Sequence, residues 1–227
     1  MVAKNRQFPL FALIFAVAAP LCGCGRGGGE GNTTAINGSI HIAAGSPAGA
    51  VATVNGSIRA DDNAILTTVR TVNGGITIGA HASAESLTTV NGPVVLQTGA
   101  RVSGGITVVN GSVTLADGAR VAGPVTNVSG AILLNSAAVS AGITTVNGDI
   151  TIQGASHVEG GIRVKKPSGV FFHVSDAIPR IVIGPGAIVD GALRFDHKVA
   201  LYVSDKASIG PVSGATPVRF SGPSPAP

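Results

Sequence analysis

Thr71–Ala80 reads TVNGGITIGA, and near-copies of it recur along the chain. TVNGSIRA begins at Thr53, TTVNGPVVL at Thr88, TVVNGSVTL at Thr107 and TTVNGDITI at Thr144. With the asparagine of each NG as origin, the positions are Asn37, Asn55, Asn73, Asn91, Asn110, Ser129 (in NVSGAILL) and Asn147. Every step between successive origins is either 18 or 19. A nearly fixed period of this size marks a stacked-repeat architecture, and it constrains every other reading of the chain.

Apolar residues recur on the same period. One residue before the origin stand Ile36, Val54, Val72, Val90, Val109, Val128 and Val146. Three after it stand Ile40, Ile58, Ile76, Val94, Val113, Ile132 and Ile150, and five after it Ile42, Ala60, Ile78, Leu96, Leu115, Leu134 and Ile152. The pair at +3 and +5 alternates with period two, so this arm is a strand with one inward face. A second arm follows as GARVSGGI from Gly99, GARVAGPV from Gly118 and GASHVEGGI from Gly154. Two short arms and a third short side per repeat describe one rung of an all-β fold, a single-stranded parallel β-helix or β-solenoid. Left-handed hexapeptide solenoids carry an aliphatic residue every six positions. The occasional longer step and the +3/+5 pairs break strict sixes, so a right-handed solenoid is expected. About nine rungs at the strand spacing make a rod roughly 40 Å long.

Each repeated position then carries a structural expectation. Val54 and its equivalents should stack in the core. The glycine should permit a positive φ at the corner. The corner residues Asn37, Asn55, Asn73, Asn91, Asn110, Ser129 and Asn147 should form a ladder of side chains, with Ser129 interrupting the amides but still bonding to its neighbours. The threonines two before the origin (Thr53, Thr71, Thr89, Thr145), interrupted by Val108 and Asn127, should line an exposed strand face.

The GAxVxG arm continues at GAIVDGAL from Gly186, and KASIGPV follows from Lys206, so rungs are expected beyond residue 165. KKPSGVFFHVSDAIPR lies between and departs from the period, with Ser168-Gly169 as a degraded corner. Phe171, Phe172, Phe195, Tyr202 and Phe220 all fall in this last quarter, as expected of an atypical cap over the final apolar layer. The expected organisation is a signal peptide over 1–23, a glycine-rich tether over 24–32, regular solenoid over 33–165, irregular rungs and cap over 166–220, and a disordered tail over 221–227.

The N-terminus reads as an address. Lys4 and Arg6 precede the apolar run PLFALIFAVAAP, then LCGC. A basic stretch followed by a short apolar core is a secretory signal, too short to span a bilayer. Leu21-Cys22-Gly23-Cys24 resembles a bacterial lipobox, with Cys24 as the acylated cysteine. Cleavage there removes residues 1–23 and leaves one lipid-bearing cysteine, which holds the chain on a membrane. The residues GRGGGEG after it form a flexible tether. By resemblance to Gram-negative lipoproteins, Gly25 after the cysteine points to the outer membrane if the envelope is of that type.

Composition argues against most chemistry. Charged residues are 11%, aromatics 4%, tryptophan is absent, and the net charge is +4. No run of lysine or arginine forms a basic stripe, so nucleic acid is not an expected partner. Asp61-Asp62, the adjacent acidic pair, reads as a solvated turn. His41, His81, His157, His173 and His197 show no metal-ligand spacing. No nucleophile elbow, phosphate loop or dinucleotide fingerprint occurs. No cofactor, metal or catalytic residue is expected. The irregular end offers the candidate binding group Phe171, His173, Asp176 and His197, where acids flank the histidines.

The VNG-x-I rungs over residues 33–165 resemble the repeats of the adhesin-like bacterial family DUF4097 and its relatives, and the length of each rung resembles that of bactofilins. The resemblance implies a right-handed β-solenoid and offers no catalytic residue. The expected function is that of a non-enzymatic envelope lipoprotein, structural or adhesin-like. The alternatives are a carbohydrate-binding or carbohydrate-modifying solenoid and a polymer-forming scaffold. Expected partners are the membrane, through the N-terminal lipid, further copies through the terminal rungs, and a surface glycan or protein.

Overall fold

Ile58-Arg59-Ala60, Ile76-Thr77-Ile78 and Val94-Val95-Leu96 alternate inward and outward, and in the structure they lie in register one above another. That stacking repeats throughout. The computed structural model describes residues 31–167 and 178–225, and among them there is no helix. Three parallel sheets of ten, ten and nine strands wrap one core. Sheet 1 starts at Thr33–Asn37, sheet 2 at Ile40–Ile42 and sheet 3 at Pro47–Ala48. One strand of each makes a turn, turn 1 beginning at Thr33, and successive turns continue to Val218–Phe220 in sheet 2. The first and last strands of sheet 1 lie nine strand spacings apart, about 43 Å. The expected β-solenoid is therefore the fold.

The inward face of sheet 2 is aliphatic from Ile40 to Val203. Ile58, Ile76, Val94, Val113, Ile132, Ile150 and Ile181 form one column in sheet 2, each 0% exposed. Each such side chain removed from water contributes about 1.5–3 kcal/mol. A rung alone has nothing to bury this surface against, so the stack is the unit of stability.

Sheet 1 departs from expectation. In Val51–Asn55 the inward residues are Val51 and Thr53, while Val54 is only half-buried and faces out. The same parity holds in Thr68–Asn73 and Ser86–Asn91. The −1 valines are thus an outer stripe, and the −2 threonines belong to the core. The physical reason is the corner. Period-two alternation holds only within a strand, and the NG turn resets it, so +3 and −1 do not share a face although they are an even number apart.

Buried threonines need partners. Thr53, Thr71 and Thr89 donate from Oγ1 to the carbonyl oxygens of Gly38, Gly56 and Gly74 at 3.1, 2.9 and 3.0 Å. Asn127 in the same column donates from Nδ2 to Gly111 O at 3.1 Å and Gly130 O at 2.8 Å. Thr145 Oγ1 accepts from Gly148 N at 3.0 Å. The column therefore ties the corner backbone down from inside.

The corner glycine also has a different cause from the expected one. A methyl group on Gly56, Gly74 or Gly111 would collide with the carbonyl oxygen of the glycine one turn earlier. These three do not adopt a positive φ, whereas Gly38, Gly92 and Gly130 do. Close approach of stacked backbones is the more general requirement of the column.

Turn 8 is the irregular one. Val125 pairs with Ile143 and Ile143 with Ile162, each about one period on, but the next partner, Leu193, lies much further along the chain. Lys165 N–H still donates to Thr145 O at 2.8 Å. The next strand begins at Arg180, whose N–H donates to Asp149 Oδ1 at 2.7 Å. Ser168-Gly169, expected as a degraded corner, lies outside the described residues. The strands then resume in register, so the solenoid extends through residues 180–220.

Of the expected aromatic cap, Phe195 does fill the inward column above Val164 and is 6% exposed. Tyr202 instead faces outward, with the Arg180 guanidinium 5.1 Å above its ring. Phe171 and Phe172 lie outside the described residues. Of the segment expected as a disordered tail, residues 221–225 are described; Pro225 is buried, and Ser224 and Pro225 line one depression with Thr151, Arg180 and Val182.

Candidate functional site

The corner ladder exists and is exposed. Asn55 donates from Nδ2 to Asn37 Oδ1, Asn73 to Asn55 and Asn91 to Asn73, each at 2.9 Å, and Asn110 to Asn91 at 3.1 Å. The ladder ends there. Ser129 sits in register with Asn110 but makes no side-chain bond among the described residues, contrary to expectation. Asn147 makes none either; its N–H donates to Val128 O at 2.9 Å. The amide column is thus cut at the turn where serine stands in place of asparagine. Five identical amides, each engaged by the next, make a structural element.

The candidate binding group does not assemble in view. Phe171, His173 and Asp176 lie outside the described residues, as does Cys24. His197 is half-buried, two residues past Phe195, and its Nε2 lies 3.0 Å from Val146 O. The two residues are distant in sequence and come together between turns 7 and 9. His197 joins the two turns, a structural role that only the register reveals.

The other described histidines also have structural places. His41 Nε2 lies 2.7 Å from Asp61 Oδ2, and His157 Nε2 lies 2.6 Å from Asp190 Oδ2, both on the exposed surface. His81 occupies the corner between sheets 2 and 3 with φ 57°, a left-handed conformation that Gly99 and Gly118 adopt in later turns. Asp61 also accepts from Arg59 Nε at 3.1 Å. Hydrogen bonding from His41 holds its carboxyl below the usual carboxylate value, partial desolvation opposes this, and Arg59 adds to the lowering. Asp62 Oδ1 accepts from Ala80 N at 2.8 Å. The acidic pair thus fastens one turn to its neighbours. No group of three metal-ligating side chains occurs among the described residues.

A shallow, open depression on sheet 2 is lined by Thr151, Gln153, Arg180, Val182, Ser224 and Pro225. No histidine, carboxylate or cysteine lines it, so its hydroxyls have no general base beside them. The outer face of sheet 1 is a feature the sequence expectations do not contain. Thr88, Thr107, Thr126 and Thr144 face outward in unbroken register, followed by Arg163 and Arg194. The signal is present as the residue three before each origin. Assigning the −1 valine inward sends the −3 residue inward with it, which conceals the column.

These features define a class, a three-sheeted parallel β-solenoid with a regular outer surface. Comparison of the chain with protein-family models, with curated proteins and with solved structures finds no match.

Proposed function

We propose that this chain is a non-enzymatic, lipid-anchored rod of the bacterial cell envelope, with a structural or adhesive role. The observation that carries the reading is the uninterrupted solenoid core. Turn after turn repeats the same aliphatic columns, and among the described residues the outward side chains form long regular stripes. Such a body transmits position along its length and presents an extended face, which suits a spacer or an adhesive surface. The basic-apolar start and the lipobox-like LCGC supply the anchor, and GRGGGEG the tether. The outer membrane is the proposed location if the envelope is Gram-negative.

The test is metabolic labelling with an alkyne fatty acid in a bacterial host, with the membrane pellet assayed in parallel. Cys24→Ser is expected to abolish labelling and release the chain from membranes, while Cys22→Ser retains both. Undiminished labelling of Cys24→Ser overturns the anchor. A second reading, end-to-end self-association, is favoured by Ile36 in the first strand and Val218 in the last, 55% and 56% exposed. Light scattering over a concentration series tests it: growth of long particles supports it, and constant size rejects it.

A further inference from the structure

The outer face of sheet 1 carries two parallel columns. The first is Thr88, Thr107, Thr126, Thr144, Arg163 and Arg194, each in register with the next, with Arg70 preceding Thr88. Two residues further along each strand runs the second, Val90, Val109, Val128 and Val146, all half-buried, followed by Lys165 and Asp196. Six strands at about 4.8 Å place the ends from Thr88 to Arg194 about 24 Å apart. Within a strand the two columns stand about 6.6 Å apart.

Charge is distributed unevenly along the rod. From residue 31 to 147, Arg59, Arg70, Arg101 and Arg120 are balanced by Asp61, Asp62, Glu85 and Asp117. Among the described residues, the sheet 1 strands of turns 8 and 9 and the residues just after them carry Arg163, Lys165, Lys166, Arg194 and Lys198, with Asp196 as the carboxylate. Asp196 is already engaged, 3.0 Å from Arg163 Nη2. Arg194 has no ion pair among the described residues. Arg163 and Arg194 lie directly opposite each other, with Asp196 answering Arg163, so Arg194 is the stacked cation without a carboxylate among the described residues.

We infer that this face binds a linear acidic polysaccharide along the rod. The polymer's carboxylates lie at the Arg163/Lys165/Arg194 end, and its sugar rings over the threonine and valine columns. Each column matches one feature of such a chain. Threonine hydroxyls donate to and accept from ring hydroxyls. The half-buried valines offer a low aliphatic surface to the C–H faces of the rings. The guanidinium and ammonium groups pair with carboxylates spaced along a polymer. A bilayer fits less well, because interfacial binding uses protruding aromatic or long aliphatic side chains, and these valines are half-covered. A single-stranded nucleic acid fits less well, because its bases call for aromatic platforms. This assignment rests on the adhesive half of the proposed function and is independent of the lipid anchor.

The experiment is equilibrium binding of the full chain in detergent micelles to polygalacturonate. Neutral dextran, a single-stranded oligonucleotide and phosphatidylglycerol vesicles serve as separate arms. Polygalacturonate is expected to bind, dextran to bind much more weakly, and the other two arms not to exceed dextran. Arg163→Ser/Lys165→Ser/Arg194→Ser is expected to lose affinity roughly tenfold, the sum of three exposed charge contacts. The control Arg101→Ser/Arg120→Ser removes two exposed, in-register cations of sheet 3, away from the sheet 1 face, and is expected to bind like the parent. Thr126→Asp, which puts a like charge in the middle of the track, is expected to weaken polygalacturonate binding without lowering the melting temperature. Equal losses in the sheet 3 control, equal binding to oligonucleotide or vesicles, or no binding to polygalacturonate each overturn the assignment. Fatty-acid labelling tests the anchor independently, so failure of one reading is distinguishable from failure of the other.

Discussion

Thr71 lies inside the core and donates from Oγ1 to the carbonyl oxygen of Gly56, one turn earlier, at 2.9 Å. The same bond recurs from Thr53 to Gly38 and from Thr89 to Gly74. A hydroxyl here serves the backbone of the neighbouring turn, which explains why threonine is tolerated in an otherwise aliphatic interior.

Thr89→Val should therefore cost about 1 kcal/mol, since it keeps the volume but leaves the Gly74 carbonyl without this donor. Thr89→Ala should cost more, because it also leaves a cavity. Chemical denaturation of both variants checks the order. Equal stability of Thr89→Val and the parent would show that the bond contributes nothing net. Val108 holds the equivalent position in turn 5, so the substitution is sterically compatible with the stack.

The amide ladder makes a graded prediction. Asn73 both donates to Asn55 and accepts from Asn91, so Asn73→Ala breaks two bonds and should cost about 1–2 kcal/mol. Asn147 makes no side-chain bond among the described residues, and Asn147→Ala should change stability by less than about 0.5 kcal/mol. Thermal melts of the two variants side by side decide it. A reversed order would remove the ladder as a source of stability.

Gly74→Ala should be among the most damaging substitutions at the corners. Its methyl would meet the carbonyl oxygen and carbon of Gly56, and both belong to backbone fixed by the stack. Gly45→Ala meets nothing within 4 Å and is opposed only by its positive φ of 65°. The first should cost about 3 kcal/mol or more and the second about 1 kcal/mol. Comparable melting temperatures for the two would show that the stack relaxes around the added methyl.

These relationships separate what a sequence carries from what it omits. The period, the parallel stacking, the +3/+5 inward columns and most of the asparagine ladder are legible, because each depends on repetition that can be counted. The facing of sheet 1 is not. Val54 is aliphatic and Thr53 polar, so hydrophobicity alone sends the wrong one inward; the NG corner sets the facing, and the bond from Thr53 to Gly38 in the previous turn satisfies the buried hydroxyl. The outer threonine and arginine columns stay hidden behind the same reversal. His197 is legible only as one histidine near an acid, since its partner Val146 lies 51 residues away in sequence and becomes a neighbour only in the stack.

Asp61 gives a pH dependence whose sign can be worked out. Its carboxyl is held below the usual value, first by the hydrogen bond from His41. A depressed folded-state value means the contribution is present above the unfolded value of 3.8 and is lost as pH falls through the folded one. The melting difference between the parent and Asp61→Asn should be largest near neutrality and shrink as pH is lowered from about 6 to about 2. A difference that grows on acidification would contradict the assignment.

His197 bridges turns 7 and 9, with Nε2 3.0 Å from Val146 O. Without that contact the Val146 carbonyl loses its His197 partner. His197→Ala should cost about 1–2 kcal/mol and raise amide exchange in the strands Ile143–Thr145 and Leu193–Phe195 ahead of the rest. His197→Gln, which keeps a donor near the same position, should recover part of the loss. Hydrogen exchange followed by mass spectrometry separates the outcomes. Faster exchange confined to turns 7 and 9 supports the bridge, whereas unchanged exchange in His197→Ala would show that the two turns hold together through the turn 8 strand between them alone.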